Sequence, residues 1–264
     1  YDLARFGTPF ETGYGAQATP AAYTTPLLVG LYGLLISSGK GVLWFAPALW
    51  LAPAVLIAQT TATVNGQVTL LEKPGAASRD LATAVVYLIP AKPPKEPLKP
   101  MKATMTMHDR EFSPSVVVIT PGSTIRFENQ DPFDHNAFSN PPHGEFDFGL
   151  ADRGSTVQKK LKYSGVYPVF CNIHSRMASF VIVVPTTYFT LASSDGRFTL
   201  NDVPAGAYTL IAWHQRGGQS KSQVTVDAAG LADVAIQLDA RGFRPKEHKN
   251  KHGEDYKSDT GDRY

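Results

Sequence analysis

Phe170-Cys171-Asn172-Ile173-His174-Ser175-Arg176-Met177 places the only cysteine of the chain, a histidine and a methionine three residues apart, directly after an apolar, β-like run that begins at Val166. A soft thiolate, a borderline imidazole and a weak thioether are the donors that a mononuclear blue-copper site draws from one short loop, and such a site needs one further imidazole. Asp134-His135-Asn136-Ala137-Phe138-Ser139 offers it. His135, Cys171, His174 and Met177 then supply two histidines and one thiolate in a trigonal plane with a long axial sulfur. That geometry suits both Cu(I) and Cu(II), so an electron passes with little rearrangement. Singly, a cysteine is usually a small buried hydrophobe and a methionine core filler. In this order and spacing, the four together point to a metal.

These residues carry a family resemblance. Residues 101–185 resemble a cupredoxin, and the short Cys-to-Met loop is most similar to amicyanin and its plastocyanin-like relatives of methylamine-utilisation clusters. The likeness extends to Arg110-Glu111-Phe112-Ser113-Pro114, the strand Ser115 to Ile119, the turn Pro121-Gly122 and a second strand from Ser123 to Glu128. It implies a Greek-key β-sandwich binding one type 1 copper ion through His135, Cys171, His174 and Met177. Asn136 resembles the residue that ties the two ligand loops together and donates a backbone N–H to the thiolate. Ser175 departs from the pattern, because those relatives usually carry proline there. Its retained N–H is expected to reach the Cys171 sulfur and favour Cu(I). The resemblance also implies an electron port at the edge of His174, framed by Pro132, Phe133, Ile173 and Met177. Redox protein partners such as a cytochrome c or a dehydrogenase would dock there briefly.

Other classes fit less well. Copper oxidases and nitrite reductases need further ligands, usually His-x-His pairs, and the sequence has no His-x-His. One cysteine excludes a binuclear thiolate centre and any intramolecular disulfide. A net charge of +2 and the lack of an aromatic-plus-basic stripe argue against nucleic acid. Copper catalysis would require a partner chain, as in a subunit of a copper oxidoreductase, and a surface binding module with stored copper is the further alternative to an electron carrier.

Export has to be read from residues 1–60. Val42 to Ala58 is uncharged and apolar, with Lys40 before it and Gln59-Thr60-Thr61 after it, the order of a signal peptide, although Leu56 weakens the cleavage pattern. With the shorter run Pro26 to Ile36, it gives an expected membrane association through residues 26–58 and a periplasmic or other extracytoplasmic location. Arg5 to Gly15 and Gly39-Lys40-Gly41 weakly resemble loops of multi-spanning membrane glycosyltransferases, so a foreign fragment is the other reading of this segment.

After Thr60 the chain reads as all-β. Strand-like runs at Val64 to Leu71, Thr83 to Ile89, Thr156 to Lys162, Val166 to Cys171, Ser179 to Val184, Arg197 to Leu200, Tyr208 to Trp213, Ser222 to Val226 and Ala232 to Leu238 are separated by Gly, Pro and Asn/Asp. Residues 91–100 are a proline-rich connector. Asp195-Gly196-Arg197-Phe198 followed by Val203-Pro204-Ala205-Gly206-Ala207-Tyr208-Thr209-Leu210 resembles a carboxypeptidase-regulatory, transthyretin-like sandwich, whose opening strand Gly66-Gln67-Val68 matches. That implies a small prealbumin-like sandwich over 61–90 and 186–240, with the cupredoxin inserted in it; a tandem arrangement is the alternative. Met105 and Met107 alternate on a strand beside His108, with Met101 before them, and read as core methionines or a soft Cu(I) patch. His143 reads as a loop residue at the copper rim, and Trp213-His214 as packing. Residues 241–264 are rich in charge and read as a solvated tail, with His248 and His252 at most weak chelators.

Overall fold

The computed structural model describes residues 61–74, 80–94, 96–245 and 248–256. The apolar runs Pro26 to Ile36 and Val42 to Ala58, and the end of the tail from residue 257, lie outside the described residues. Within them the chain is all-β: sixteen strands form four sheets, relieved only by one 3-10 turn at Leu81–Thr83. Among these residues no helix is long and apolar enough to cross a membrane.

Nine consecutive strands build the two sheets that carry His135 and the Cys171-to-Met177 loop. β3 (Lys102–His108), β4 (Glu111–Ser113), β6 (Ser123–Asn129) and β9 (Thr156–Leu161) form one, in the order β4-β3-β6-β9. β5 (Val116–Ile119), β7 (His135–Ser139), β8 (Phe146–Ala151), β10 (Gly165–Phe170) and β11 (Ala178–Val183) form the other, in the order β5-β11-β10-β7-β8. Alternation decides which side chains face inward. Met105 and Met107 on β3 are fully buried and His108 is exposed, as period-2 patterning demands. Both methionines are therefore core residues, and the Sδ of Met105 accepts a hydrogen bond from the Ser179 hydroxyl at 3.1 Å. Phe127 on β6 anchors the interior, with its ring centroid 6.1 Å from Phe112, 6.0 Å from Phe146 and 5.7 Å from Phe148. β9 is a sheet edge, and its exposed Lys160 discourages pairing with another chain.

The strands on either side of this block share sheets with one another. β1 (Thr61–Leu71) lies between β13 (Arg197–Pro204) and β16 (Leu231–Asp239), antiparallel to the first and parallel to the second. β2 (Val85–Pro90) lies between β12 (Phe189–Leu191) and β14 (Gly206–His214), which in turn pairs with β15 (Gly218–Val226). Two glycines read from the sequence have steric reasons here. A Cβ on Gly66 would collide with the Val234 carbonyl of the neighbouring β16, and Gly196 sits at φ 82° in the turn before β13, pressed against the Val68 carbonyl. The spacing in Val203-Pro204-Ala205-Gly206-Ala207-Tyr208 has one as well: the Tyr208 hydroxyl donates to the Pro204 carbonyl at 2.7 Å and locks the β13–β14 corner.

The two pairs of sheets meet through a third apolar cluster, in which Val116, Ile182 and Val184 pack with Val85 and Trp213. The Trp213 ring lies 5.1 Å from Phe180, edge to face. Trp213 is thus packing, as expected of it. His214 beside it is fully buried, its Nε2 donating to the Asp80 carbonyl (3.2 Å) and its Nδ1 accepting from the Arg216 N–H (3.2 Å), and burial lowers its basicity.

Candidate metal centre

The loop between β10 and β11 closes on itself. The Cys171 N–H donates to the Met177 carbonyl, and the Met177 N–H to the His174 carbonyl, each at 3.1 Å. Pairing of Phe170 with Phe138 sets the start of this loop beside β7, whose first residue is His135. The three donors therefore converge: Cys171 Sγ is 3.6 Å from His174 Nδ1 and 3.9 Å from His135 Nδ1, and the group fits within 4.8 Å. Donors held about 2.0–2.3 Å from a shared centre in a trigonal plane lie roughly 3.6 Å apart, so the triangle has the size of a metal site. Met177 is 1% exposed and belongs to the same buried cluster as Cys171. His135 and Cys171 are fully buried, whereas His174 is half-buried and reaches the surface.

His135 is oriented by a residue that the sequence reading passed over. Its Nε2 lies 2.7 Å from the Asp131 carboxylate, which leaves Nδ1 to face the sulfur. Asp131 is itself buried and also accepts the N–H groups of Asp109 (2.8 Å) and Arg110 (3.0 Å). Those two residues form the β3–β4 turn with φ of 53° and 61°, a left-handed pair that non-glycine residues seldom adopt. Burial pushes the Asp131 carboxyl up, but the Arg110 N–H, the His135 ring and the Asp109 N–H outweigh it and hold the group below the usual carboxylate range. The available signal was a carboxylate four residues before the histidine in Asp131-Pro132-Phe133-Asp134-His135. His108, Asp109 and Asp131 also cluster, with His108 Nδ1 3.4 Å from Asp131, but the Asp131 oxygens already serve the turn and His135.

Around the sulfur, burial raises the Cys171 thiol, and the N–H groups of Asn136, Ile173 and His174 pull it back down. The Ile173 N–H stands 3.5 Å from Sγ. Asn136 thus supplies its expected backbone N–H, but its side chain binds Asp147 (2.8 Å) and the Gly149 carbonyl (2.6 Å) on β8 rather than the Cys171 loop. Ser175 differs from expectation: its N–H is not among those reaching the sulfur. It occupies the second position of the turn His174-Ser175-Arg176-Met177, where proline is well accommodated. Ser175→Pro is accordingly expected to leave the reduction potential of the copper-loaded protein unchanged by voltammetry, and to stabilise it by about 0.4–1 kcal/mol if φ needs no adjustment.

At the surface, Phe133 packs against both imidazoles, 5.2 Å from His135 and 5.9 Å from His174, and the Arg110 guanidinium lies 5.5 Å over the Phe133 ring. Pro132, next to Phe133 in sequence, and Ile173, next to His174, are both exposed, Ile173 at 42%. His143 is exposed and neighbours Tyr163, 6.2 Å between rings, rather than the three donors.

The tail departs from its solvated reading over residues 248–256. The Tyr256 hydroxyl donates to the Cys171 carbonyl at 2.5 Å, and the His248 ring stacks on Phe170 at 4.4 Å. The Lys251 ammonium reaches Asp147 at 2.8 Å. Burial raises the Asp147 carboxyl, but Lys251, Asn136 and the Gly149 N–H together lower it below its ordinary value. A depressed carboxyl contributes its contact fully above the unfolded aspartate range, about 3.9, and loses it as pH falls through the folded value. Hydrogen exchange of the 248–256 amides, with intrinsic rates corrected, is therefore expected to stay constant from neutral pH down to about pH 4 and to accelerate below it.

Comparison with known proteins adds the following. The family model for polysaccharide lyase family 4, domain II, matches residues 185–234. No curated protein matches the sequence. Among solved structures, the chain is similar to a purple cupredoxin from Nitrosopumilus maritimus at 22% identity, over 31% of this chain and 99% of that one, with a TM-score of 0.28. Amicyanin from Paracoccus versutus matches at 19% identity over 38% of this chain and 97% of that one, TM-score 0.30. A copper-containing nitrite reductase from Thermus scotoductus SA-01 matches at 21% identity over 44% of this chain and 28% of that one, TM-score 0.30.

Proposed function

We propose that this protein is a type 1 copper electron carrier, with His135 Nδ1, Cys171 Sγ and His174 Nδ1 as the strong ligands and Met177 as the axial one. The observation that carries this reading is the convergence of one thiol and two imidazole nitrogens, 3.6 and 3.9 Å from the sulfur, in a buried pocket that opens to solvent through one histidine. The donor set fits copper: a soft thiolate and two imidazoles serve both oxidation states. Copper bound there supplies reversible one-electron chemistry with a strong thiolate-to-metal absorption.

The chain's own residues do the rest. Asp131 fixes the His135 tautomer, the N–H groups of Asn136, Ile173 and His174 receive the thiolate charge, and the His174 edge with Phe133, Pro132 and Ile173 is the electron port. A cytochrome c or a dehydrogenase is the class of partner that such a port serves, in an extracytoplasmic compartment. Residues 61–90 and 186–240 form, in this reading, one supporting sandwich of carboxypeptidase-regulatory type interrupted by the copper domain at 101–185; the shared sheets of β1, β2 and β12–β16 support it.

The visible spectrum of the Cu(II)-loaded full chain before and after ascorbate tests the function. An intense blue band that bleaches and returns on reoxidation is the expected result. Stoichiometric copper without that band would leave a copper-storing binding module instead.

A further inference from the structure

The segment His248 to Tyr256 makes contact with both halves of the candidate copper site. On the cysteine side, the Tyr256 hydroxyl donates to the Cys171 carbonyl at 2.5 Å, the Lys251 N–H donates to the Asn172 side-chain carbonyl at 2.9 Å, and His248 stacks on Phe170. On the histidine side, the Lys251 ammonium binds one Asp147 oxygen at 2.8 Å, and the other oxygen accepts from the Asn136 amide at 2.8 Å, next to His135. The segment is preorganised for this. The Asn250 carboxamide oxygen accepts the N–H groups of His252 and Glu254, both at 2.9 Å, the Asn250 N–H donates to the Glu254 carbonyl, and Gly253 supplies the left-handed turn at φ 80°.

Resting on the copper reading above, we infer that residues 248–256 are a positioning strap, in which Tyr256 and Lys251 clamp the Cys171 loop to the His135 strand and so hold the ligand triangle at its size. The strap adds to the ties that the Phe170–Phe138 pairing and the Asn136 N–H at the Cys171 sulfur already make between the two segments. The physical logic is that of outer-shell support: a ligand pocket formed by two separate chain segments keeps its geometry only as well as those segments are tied, and losing such a tie costs on the order of 10- to 100-fold in metal retention. The strap lies against Phe170, Cys171 and Asn172, and the half-buried His174 remains the surface route to the site.

The test uses the full chain loaded with copper, as wild type, Tyr256→Phe, Lys251→Met and Lys251→Arg. Tyr256→Phe removes one hydroxyl and keeps the ring that packs edge to face on His248 at 5.2 Å. Release of Cu(I) to excess chelator, the visible spectrum, the reduction potential and the melting temperature of the copper-free protein are measured on each. Tyr256→Phe and Lys251→Met are expected to release copper on the order of tenfold faster and to shift the blue band and the potential, while Lys251→Arg keeps the wild-type rate within about twofold. A blue wild type whose variants release copper at the same rate with an unchanged spectrum overturns the strap alone. So does faster release that merely tracks a lower melting temperature, since that is general destabilisation. A wild type without the blue band overturns the copper reading itself, and the strap's role with it.

Discussion

Asp131→Ala is expected to lower the unfolding free energy by roughly 3 kcal/mol and to weaken copper binding by about 10- to 100-fold. Three donors lose their acceptor at once: the Asp109 N–H, the Arg110 N–H and the ring of the fully buried His135. The turn N–H groups sit at the surface and can turn to water, since Asp109 is largely exposed. The His135 ring cannot, so most of the loss is the desolvation of one buried imidazole N–H plus release of a turn held at two positive φ values. With Nε2 no longer engaged, the imidazole has no fixed tautomer, and Nδ1 faces the sulfur only part of the time. Urea unfolding and a competitive copper titration read the two effects. Asp134→Ala, which removes the exposed carboxylate immediately before His135, should change stability by less than about 0.5 kcal/mol. Equal effects of the two substitutions would sink the assignment of Asp131.

Cys171→Ala carries the largest expected functional effect: complete loss of the blue band, with a folded protein left behind. Burial keeps the metal-free thiol protonated beyond its ordinary range, so in the apo state Cys171 is a small core residue beside Met177. Removing one buried sulfur costs about 1 kcal/mol, little against what holds two sandwiches together, so far-ultraviolet circular dichroism and the melting profile should stay close to wild type. The band disappears because the thiolate alone provides the charge-transfer partner. A variant that retains any intense visible absorption would mean that copper is bound elsewhere.

Much of the fold was readable residue by residue, and the exceptions share a cause. Strands with clean alternation, such as Ser123–Asn129, or built on a short apolar run, such as Phe180 to Val183 within Ala178–Val183, stand where the pattern puts them. His135–Ser139 was read as a ligand loop, because its histidine, asparagine and serine do not resemble a strand; it is buried on every residue, since β10 and β8 flank it. Glu111–Ser113 and Phe189–Leu191 are three residues each, too short for a period to declare itself. Ser175 was assigned a hydrogen bond by its difference from proline alone, whereas the direction of an N–H depends on turn geometry. The tail looked solvated because high charge signals the absence of a core, and it says nothing about single hydrogen bonds such as that from Tyr256 to Cys171.

The sequence by itself determined the donor set within one loop's reach, Cys171, His174 and Met177, and period-2 patterning makes the rest β. Only the tertiary structure decided what lies far apart along the chain: Asp131 rather than Asp134 behind His135, β1 beside β16, and Tyr256 on the cysteine carbonyl. Those choices belong to strand pairing and turn direction, where contacts between distant residues compete on packing and hydrogen-bond geometry that no local pattern records.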